Sequence, residues 1–183
     1  MNHYFNITLL SDPEMPSTVL MNAICAKLHK VLFDLRSDSI GVSFPKYDVT
    51  LGNVLRIHGN EADLQKLHGT HWLGGMNGYC KFGEISTVPT NIKHRKISRQ
   101  QINMSQSKFK RLLIRGSITD EKVRIYNNKM FTEKRLDMPY LDLVSSKGPR
   151  YRRYIVLGEL LDKPIIGKFD QFGLSKTATV PWF

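Results

Sequence analysis

The sequence predicts an α+β fold, with a β-α-β-β-α-β unit in the first half and a less regular α/β region that carries a basic helix in the second. Three observations predict it. Short stretches alternate apolar and polar residues, which is typical of half-buried strands. Two segments of the first half repeat apolar residues at steps of three and four, which is typical of amphipathic helices. The 183 residues are 41% hydrophobic, enough to build a core in one large domain or two small ones.

The first strand is predicted over YFNITLL, residues 4–10, because its apolar and polar residues alternate. Asp12, Pro13, Pro16 and Ser17 then break the strand and start a helix. The apolar positions of that helix recur at three- and four-residue steps and define a face that we expect to be buried. They are Leu20, Met21, Ile24, Cys25, Leu28 and Leu32.

Two strands, a helix and a last strand complete the first half. IGVSFP (40–45) and VLRIHG (54–59) read as strands around a polar turn, so we expect them to pair. A second helix begins at Asn60, a good N-cap, with acidic residues in its first turn. YCKFGEISTVP (79–89) is the last strand. The order β-α-β-β-α-β is the ferredoxin-like pattern, which hosts many functions and therefore indicates none by itself.

The second half is less regular, so we expect one domain over residues 1–92 and a second region over residues 93–183. A polar, basic connector leads to a helix over residues 105–115, which a serine at its start caps and Gly116 ends. The remaining elements are an extended stretch, a second helix and four short strands. They are predicted over residues 95–101, 119–131, 140–144, 152–158, 165–170 and 177–183.

Positive charge is concentrated in two segments that contain no acid. The chain has 27 Lys and Arg residues against 16 Asp and Glu, a net charge of +11, and it is close to neutral outside residues 85–119 and 147–153. Such a concentration is typical of proteins that bind a phosphate backbone, so a nucleic acid is expected ahead of an anionic membrane. A solvated basic face without a ligand is the alternative. The bases of the two segments are Lys93, Arg95, Lys96, Arg99, Lys108, Lys110, Arg111, Arg115, Lys147, Arg150, Arg152 and Arg153.

The helix predicted in the middle of the chain places part of this charge on one face. Lys108, Arg111 and Arg115 follow at i, i+3 and i+7, so they form a stripe beside the apolar face. We call these three residues the basic stripe. Like charges on one face repel each other and no acid is nearby, so the stripe predicts a polyanionic ligand.

Planar and aromatic side chains accompany the charge. Arg99 and Gln101 alternate, so in an extended chain they point the same way, and their planar ends suit base edges. Tyr151 lies inside the second basic segment between Arg150 and Arg152, and Phe172 precedes a glycine near the C-terminus. Exposed aromatics among arginines can stack unpaired bases. Ordinary packing in the core is the alternative for both aromatic residues.

Several other classes of function lack support. His68 and His71 are three residues apart without further ligands, so two polar residues at a helix end are a better interpretation than a metal site, and we expect neither metal nor cofactor. Phosphate-loop and nucleophile-elbow motifs are missing. No apolar run approaches the ~20 residues that cross a bilayer, and the first residues do not resemble a signal peptide. Two cysteines without CxxC spacing favour free thiols in a reducing cytoplasm.

One histidine lies at a helix edge. His29 follows Leu28 directly, so it falls between the predicted buried face and solvent. A helix-surface histidine without function is the simpler interpretation. Histidine nevertheless exchanges a proton near neutral pH, and a ribose 2′-hydroxyl would be a natural donor if a nucleic acid crossed that edge.

Five stretches, distributed over nearly the whole chain, are distinctive in combination: GVSFP (41–45), LRIHG (55–59), ISRQQ (97–101), LDMPYLDLVSS (136–146) and FGLSKTATVPWF (172–183). Together with His29 and the basic helix, they resemble the CRISPR repeat-processing endoribonucleases of type I-F (Csy) systems. The resemblance implies an enzyme that binds the hairpin of a CRISPR repeat transcript, cuts once at its 3′ base without a metal, keeps the stem-loop product and joins other Csy subunits in the Cascade surveillance complex.

The resemblance also implies roles for individual residues. His29 matches the catalytic histidine of these enzymes, and Ser145 matches a serine that holds the attacking ribose. Arg99 and Gln101 match the pair that reads bases near the bottom of the stem, and Tyr151 matches an aromatic residue that stacks below it. The arginine-rich helix enters the major groove of the hairpin in this family.

Three departures from the family pattern concern the RNA contacts. Phe172 stands where a tyrosine is expected, and Gly116 and Leu112 stand where groove-contacting arginines are expected. The resemblance therefore implies that the basic stripe carries the groove contact, together with Lys110. The loop that follows Ser145 is one residue shorter. Two alternatives remain open: a subunit that binds the same hairpin without cutting it, and a general basic RNA- or DNA-binding protein that binds many duplexes about equally.

Overall fold

The computed structural model describes most of the chain, in two compact units. Residues 1–100 and 139–183 form one unit, and residues 101–138 form the other. Two antiparallel sheets together with helices confirm the predicted α+β class. The described residues are 1–100, 111–117, 119, 121, 123–124, 138–145 and 148–183.

The first sheet has strand order β2-β3-β1-β4, with β5 also paired to β1, and its described pairs are antiparallel. The single strand predicted over residues 79–89 is wrong, because the chain forms β4 and β5 instead. Phe82 pairs with Ile7 and Ser86 pairs with Tyr4. The segment between β4 and β5 therefore has one residue more than the part of β1 opposite it, and this extra residue interrupts the ladder. The strands are β1 (His3–Leu9), β2 (Gly41–Ser43), β3 (Val54–Gly59), β4 (Cys80–Phe82) and β5 (Ser86–Thr87).

Both predicted helices of the first half are present, α1 over Ser17–Asp34 and α2 over Glu61–Gly69. All six residues predicted for the apolar face of α1 are buried, which confirms that face. Asn60 caps α2 as expected, because its side-chain oxygen accepts a hydrogen bond from the Asp63 N–H at 2.8 Å. A 3-10 helix over Gly74–Tyr79 then leads into β4.

The second sheet has strand order β7-β8-β6-β9 and is also antiparallel. Helix α1 packs against it as well, since Asn22 Oδ1 accepts a hydrogen bond from the Asp142 N–H at 3.0 Å. The boundary predicted between residues 92 and 93 lies between the last strand of the first sheet and the first strand of the second. The strands are β6 (Lys93–Gln100), β7 (Tyr140–Val144), β8 (Arg150–Leu161) and β9 (Val180–Trp182).

The predicted strand over residues 165–170 is wrong, and the one over residues 177–183 is shorter than expected. The segment before β9 forms a loop whose apolar residues are buried without strand pairing; these are Phe169, Phe172, Leu174 and Ala178. Side-chain oxygens replace the partners that a ladder would supply. Asp170 Oδ1 accepts two backbone N–H groups, and Ser175 Oγ accepts the Ala178 N–H at 2.9 Å.

In the second unit, residues 111–114 are helical and Gly116 ends the helix as predicted. Gly116 has φ +61°, its N–H donates to the Leu113 carbonyl, and the Ser117 N–H donates to the Leu112 carbonyl. This pair of bonds is the Schellman pattern, which glycine favours. The earlier part of the predicted helix lies outside the described residues. Across the described part of the chain, no helix combines the length and apolarity that a membrane crossing requires.

Candidate active site

His29 lies on α1 between buried Leu28 and exposed Lys30, which confirms its predicted position at the edge of the helix face. Its Nδ1 is 3.2 Å from the backbone oxygen of Gln171. A carbonyl oxygen can only accept, so Nδ1 carries the proton in this hydrogen bond. In the neutral ring, Nε2 then holds the lone pair and is the atom that can take a proton from a ligand.

The ring of Phe172 covers one face of the His29 imidazole. Their centroids are 3.9 Å apart with an interplanar angle of 12°, so the two rings are stacked. The Arg153 guanidinium carbon lies 3.7 Å from the centroid of the same phenyl ring. The imidazole and the guanidinium would overlap on one face, so they occupy opposite faces of Phe172.

This arrangement contradicts the prediction that Phe172 stacks an unpaired base. The residue is only 8% exposed, and side chains of the protein occupy both of its faces. The packing alternative is therefore the correct one for Phe172.

The loop that carries Gln171 and Phe172 is fixed by hydrogen bonds within the loop and by one to the first sheet. Asp170 Oδ1 accepts the Phe172 N–H at 2.8 Å and the Leu174 N–H at 3.0 Å. The Gly173 carbonyl accepts the N–H of Val42 in β2 at 3.0 Å. Because both partners of His29 belong to this loop, the loop sets the orientation of the imidazole.

Ser145 follows β7 directly and starts the turn into β8. Its N–H donates to the Pro149 carbonyl, and its own carbonyl accepts the Gly148 N–H, both at 2.9 Å. The register pairs Val144 with Arg150, so Ser145 lies at the same hairpin end as Arg150, with Tyr151 next along β8. Tyr151 is 39% exposed. The structure thus brings three predicted site residues together at this turn.

Arg152 lies on β8 with its side chain at the surface, directly after Tyr151. Its guanidinium carbon is 4.6 Å from the ring centroid of Tyr140. A side-chain hydrogen bond with Tyr154, followed by the charge of Tyr140, raises the pKa of Arg152, so the residue stays positively charged. Successive residues of a strand face opposite sides, so Arg152 and Tyr151 present different faces of the sheet.

Arg99 lines a groove of about 320 Å³ between β6 and the C-terminal loop. Lys168 and Lys176 lie along the same groove. Gln101, the predicted partner of Arg99, lies outside the described residues. That the two side chains point the same way therefore stays a prediction. Lys168 is also paired with Asp38, whose carboxylate oxygen is 2.7 Å from its Nζ.

The basic stripe is described only in part. Arg111 and Arg115 are exposed, and the Arg115 N–H donates to the Arg111 carbonyl at 3.1 Å, as in a regular helix. Lys108 and Lys110 lie outside the described residues. The two arginines are therefore accessible to a ligand, as the stripe requires.

Some of the charge in the two basic segments has a structural use that the sequence did not reveal. Arg95 donates to the Tyr47 hydroxyl at 2.9 Å and lies 4.9 Å from the Trp182 ring. Lys93 pairs with Asp162. Among the described residues, no group of three or more His, Cys, Asp or Glu side chains is placed to hold a metal ion.

Comparison with known families places this α+β protein among the CRISPR-associated proteins. The family model described as "CRISPR-associated protein (Cas_Csy4)" matches residues 4–183, and the chain belongs to this family. This confirms the resemblance seen in the sequence motifs.

Two relatives match along their full length. Both are named "CRISPR-associated endonuclease Cas6/Csy4". The relative from Escherichia coli (strain UTI89 / UPEC) is 39% identical over 185 residues, with 100% of each chain covered. The relative from Pseudomonas aeruginosa (strain UCBPP-PA14) is 37% identical over 187 residues, again with 100% of each chain covered.

Proposed function

We propose that this protein is a CRISPR-associated endonuclease that cuts CRISPR precursor RNA at the 3′ base of the repeat hairpin. The observation that carries the proposal is the geometry of His29, whose Nδ1 is held by the Gln171 carbonyl while Nε2 is left as the acceptor. The names of the two full-length relatives support the same class of activity.

In the proposed reaction, His29 Nε2 takes the proton of the ribose 2′-hydroxyl next to the scissile phosphate. The 2′-oxygen then forms a bond to phosphorus, and the bond from phosphorus to the 5′-oxygen breaks. The departing oxygen takes up a proton, which gives a 5′-hydroxyl and a 2′,3′-cyclic phosphate that can open to a 3′-phosphate. The nucleophile belongs to the RNA, so DNA cannot react and the attack requires no metal-bound water. Ser145 holds the attacking ribose.

The remaining predicted residues bind the hairpin. Arg99 and Gln101 read bases at the bottom of the stem, and the basic stripe lies in the groove with Lys110 beside it. Tyr151, which is 39% exposed, stacks below the stem. Arg150 and Arg152 add contacts to phosphates from the adjoining strand.

We propose a ferredoxin-like arrangement for residues 1–92, with residues 93–183 as the hairpin-binding region. The element order β1-α1-β2-β3-α2-β4 and the strand order β2-β3-β1-β4 support this arrangement. After cutting, the protein keeps the stem-loop product and joins other Csy subunits of Cascade in the cytoplasm.

Cleavage of a labelled repeat hairpin by the purified chain tests this function. Loss of a general base costs about 10²–10⁴-fold in rate, so His29→Ala should slow cleavage by that order while hairpin affinity stays close to wild type. His71→Ala, which changes a histidine in the turn after α2, is the matched control and should cut at the normal rate. Cleavage should also survive excess EDTA.

A substrate with one deoxyribose just 5′ of the scissile phosphate separates the possible mechanisms. It lacks the nucleophile, so neither the wild-type enzyme nor any variant should cut it. Efficient cutting of this substrate would exclude attack by the 2′-hydroxyl. Tight hairpin binding without any cutting of the all-ribose substrate would instead identify a non-catalytic RNA-binding subunit.

A further inference from the structure

Arg153 belongs to the second basic segment, yet its side chain is directed into the protein. It shares a face of β8 with Ile155, which is fully buried, and it pairs across the sheet with Leu141, which is 2% exposed. The Arg153 side chain is itself only 11% exposed. Arginine is rarely buried to this extent unless other groups compensate its charge. The groups that contact Arg153 therefore indicate its role.

Two groups face the buried guanidinium. Its central carbon lies 3.7 Å from the ring centroid of Phe172, and its Nη1 lies 3.8 Å from Asp170 Oδ2. Nε and Nη1 of Arg153 are buried and have no hydrogen-bond partner among the residues that the structure describes. The charge is therefore compensated by the aromatic face and by the field of the carboxylate.

The same burial separates Arg153 from the residues proposed to bind RNA. Its Nε and Nη1 atoms are shielded from solvent, so an RNA phosphate has no direct access to them. Arg152, its neighbour on β8, has its side chain at the surface and is the more accessible residue of this pair to a phosphate.

We propose that Arg153 is a positioning residue for the catalytic histidine and acts through Phe172. This inference rests on the proposed function of His29. The Gln171 carbonyl fixes one atom of the imidazole, Nδ1, and leaves the ring free to rotate about that hydrogen bond. The stacked phenyl ring removes this freedom because it fixes the plane of the imidazole. Arg153 holds the phenyl ring from the opposite face, so the three groups together direct Nε2.

The positioning role can be distinguished from a purely structural role by replacing Arg153 with an apolar residue. Removal of one member of an ion pair is costly mainly when its partner is left buried and uncompensated. The Asp170 side chain is 38% exposed and its Oδ1 accepts two backbone N–H groups, so it stays solvated and hydrogen-bonded without Arg153. Arg153→Met should therefore fold and keep its hairpin affinity, whereas the imidazole should lose its fixed orientation. A small misplacement of a reacting group costs up to about 100-fold in rate, so cleavage should slow by roughly 10- to 100-fold.

The experiment uses the full-length protein and three measurements. These are the single-turnover cleavage rate at saturating repeat hairpin, the dissociation constant for the hairpin with a deoxyribose at the cut site, and the ¹H–¹³C spectrum of the His29 Cε1–H group without RNA. The stacked phenyl ring shields this proton. In Arg153→Met the signal should move towards its position in an unstacked histidine, the rate should fall, and the dissociation constant should stay within about threefold. The conservative Arg153→Lys should restore part of both the signal and the rate.

Arg152→Met is the matched control, because it removes the same charge one residue away on the exposed face. It should weaken hairpin binding and leave the His29 signal in place. A normal rate with an unmoved His29 signal in folded Arg153→Met would overturn the proposal, and so would a loss confined to affinity. If Arg153→Met does not fold, Arg153→Lys gives the same two readouts. The spectrum is recorded without RNA, so a wild-type protein that fails to cut would refute the proposed function separately from the positioning role.

Discussion

Gly173→Ala is the most direct test of the loop that holds the candidate active site. Gly173 has φ +70°, in the left-handed region that L side chains rarely adopt. A Cβ added there would lie 2.7 Å from Val42 Cγ1 and 3.1 Å from the Val42 backbone nitrogen. The substitution therefore strains the backbone and drives a methyl group into β2, next to Phe172.

The expected loss of stability has two parts. A left-handed conformation costs an alanine about 1–2 kcal/mol, partly offset by about 0.4–1 kcal/mol from restriction of the unfolded chain. Overpacking of a tight site adds about 1–3 kcal/mol. The free energy of unfolding should thus fall by about 1–5 kcal/mol, which at about 2–4 °C per kcal/mol corresponds to a drop of roughly 2–20 °C in Tm for a chain of this size.

Gly116→Ala separates the two parts. Gly116 has a similar φ of +61°, but a Cβ there meets no atom within 4 Å. It should cost only the backbone strain, about 1 kcal/mol net. Urea denaturation and thermal unfolding of both variants provide the comparison, and cleavage by Gly173→Ala should also slow because Phe172 is displaced. If Gly173→Ala loses no more stability than Gly116→Ala, the close packing of this loop against Val42 does not hold in solution.

Three further predictions concern pH, base recognition and salt. Burial lowers the pKa of His58 to about 3, so the unfolded chain takes up a proton that the folded chain cannot; stability should fall as pH drops from about 6.5 towards 3, by up to about 1.4 kcal/mol per pH unit. His58→Gln should reduce this slope in urea titrations at pH 7 and pH 5, and an unchanged slope would refute the assignment. Arg99→Ala should relax discrimination among hairpins with altered basal pairs but not among loop variants, at about 1–3 kcal/mol per base contact; wild-type preferences would exclude its role as a base reader. Alanine at Lys108, Arg111 and Arg115 together should weaken hairpin binding and reduce the salt slope of log K by about one for each phosphate that is no longer neutralised; unchanged affinity would make the basic stripe a solvated surface.

Elements whose pattern is local could be predicted from the sequence. Helix α1 has an apolar face long enough to identify, and its buried residues follow it. Asn60 supplies the N-cap of α2 within three residues of the N–H it satisfies. β3 and β7 lie over residues 54–59 and 140–144, the ranges that alternation or apolar content indicated. These signals need no information from distant parts of the chain.

The C-terminal loop could not be predicted, because its partners are distant in sequence. The apolar content of residues 165–170 resembles a strand, but Phe169 donates its N–H to the Asp38 carbonyl and Ser175 donates to the Ile97 carbonyl. The Asp170 side chain then accepts the N–H groups of Phe172 and Leu174, which turns the chain after residue 170. Asp170 followed by Gly173 is a turn signal that begins where the predicted strand ends, so it could not distinguish this loop from a strand.

The candidate site also has one part that local sequence predicts and one part that depends on distant residues. The position of His29 at the helix edge follows from α1 alone, whereas its hydrogen-bond partner Gln171 comes from 142 residues further along the chain. The sequence offered Phe172 as an aromatic residue that can stack an unpaired base, with packing in the core as the alternative, but it carries no information about which faces of the ring are covered. Only the tertiary packing places Phe172 between His29 and Arg153.

The charge pattern, which first indicated a polyanionic ligand, therefore overstates the number of cations available to it. Arg95 and Arg153 are used in contacts with aromatic rings and carbonyl or carboxylate oxygens inside the protein. The position of an arginine along a strand indicates whether it packs inside the protein or reaches the surface, because alternate residues of a strand face opposite sides. Arg153 is in phase with buried Ile155 on β8, whereas Arg152 is out of phase with it and reaches the surface. On β8, Arg152 is therefore the arginine to assign to RNA, and Arg153 is the one to examine as a positioning residue.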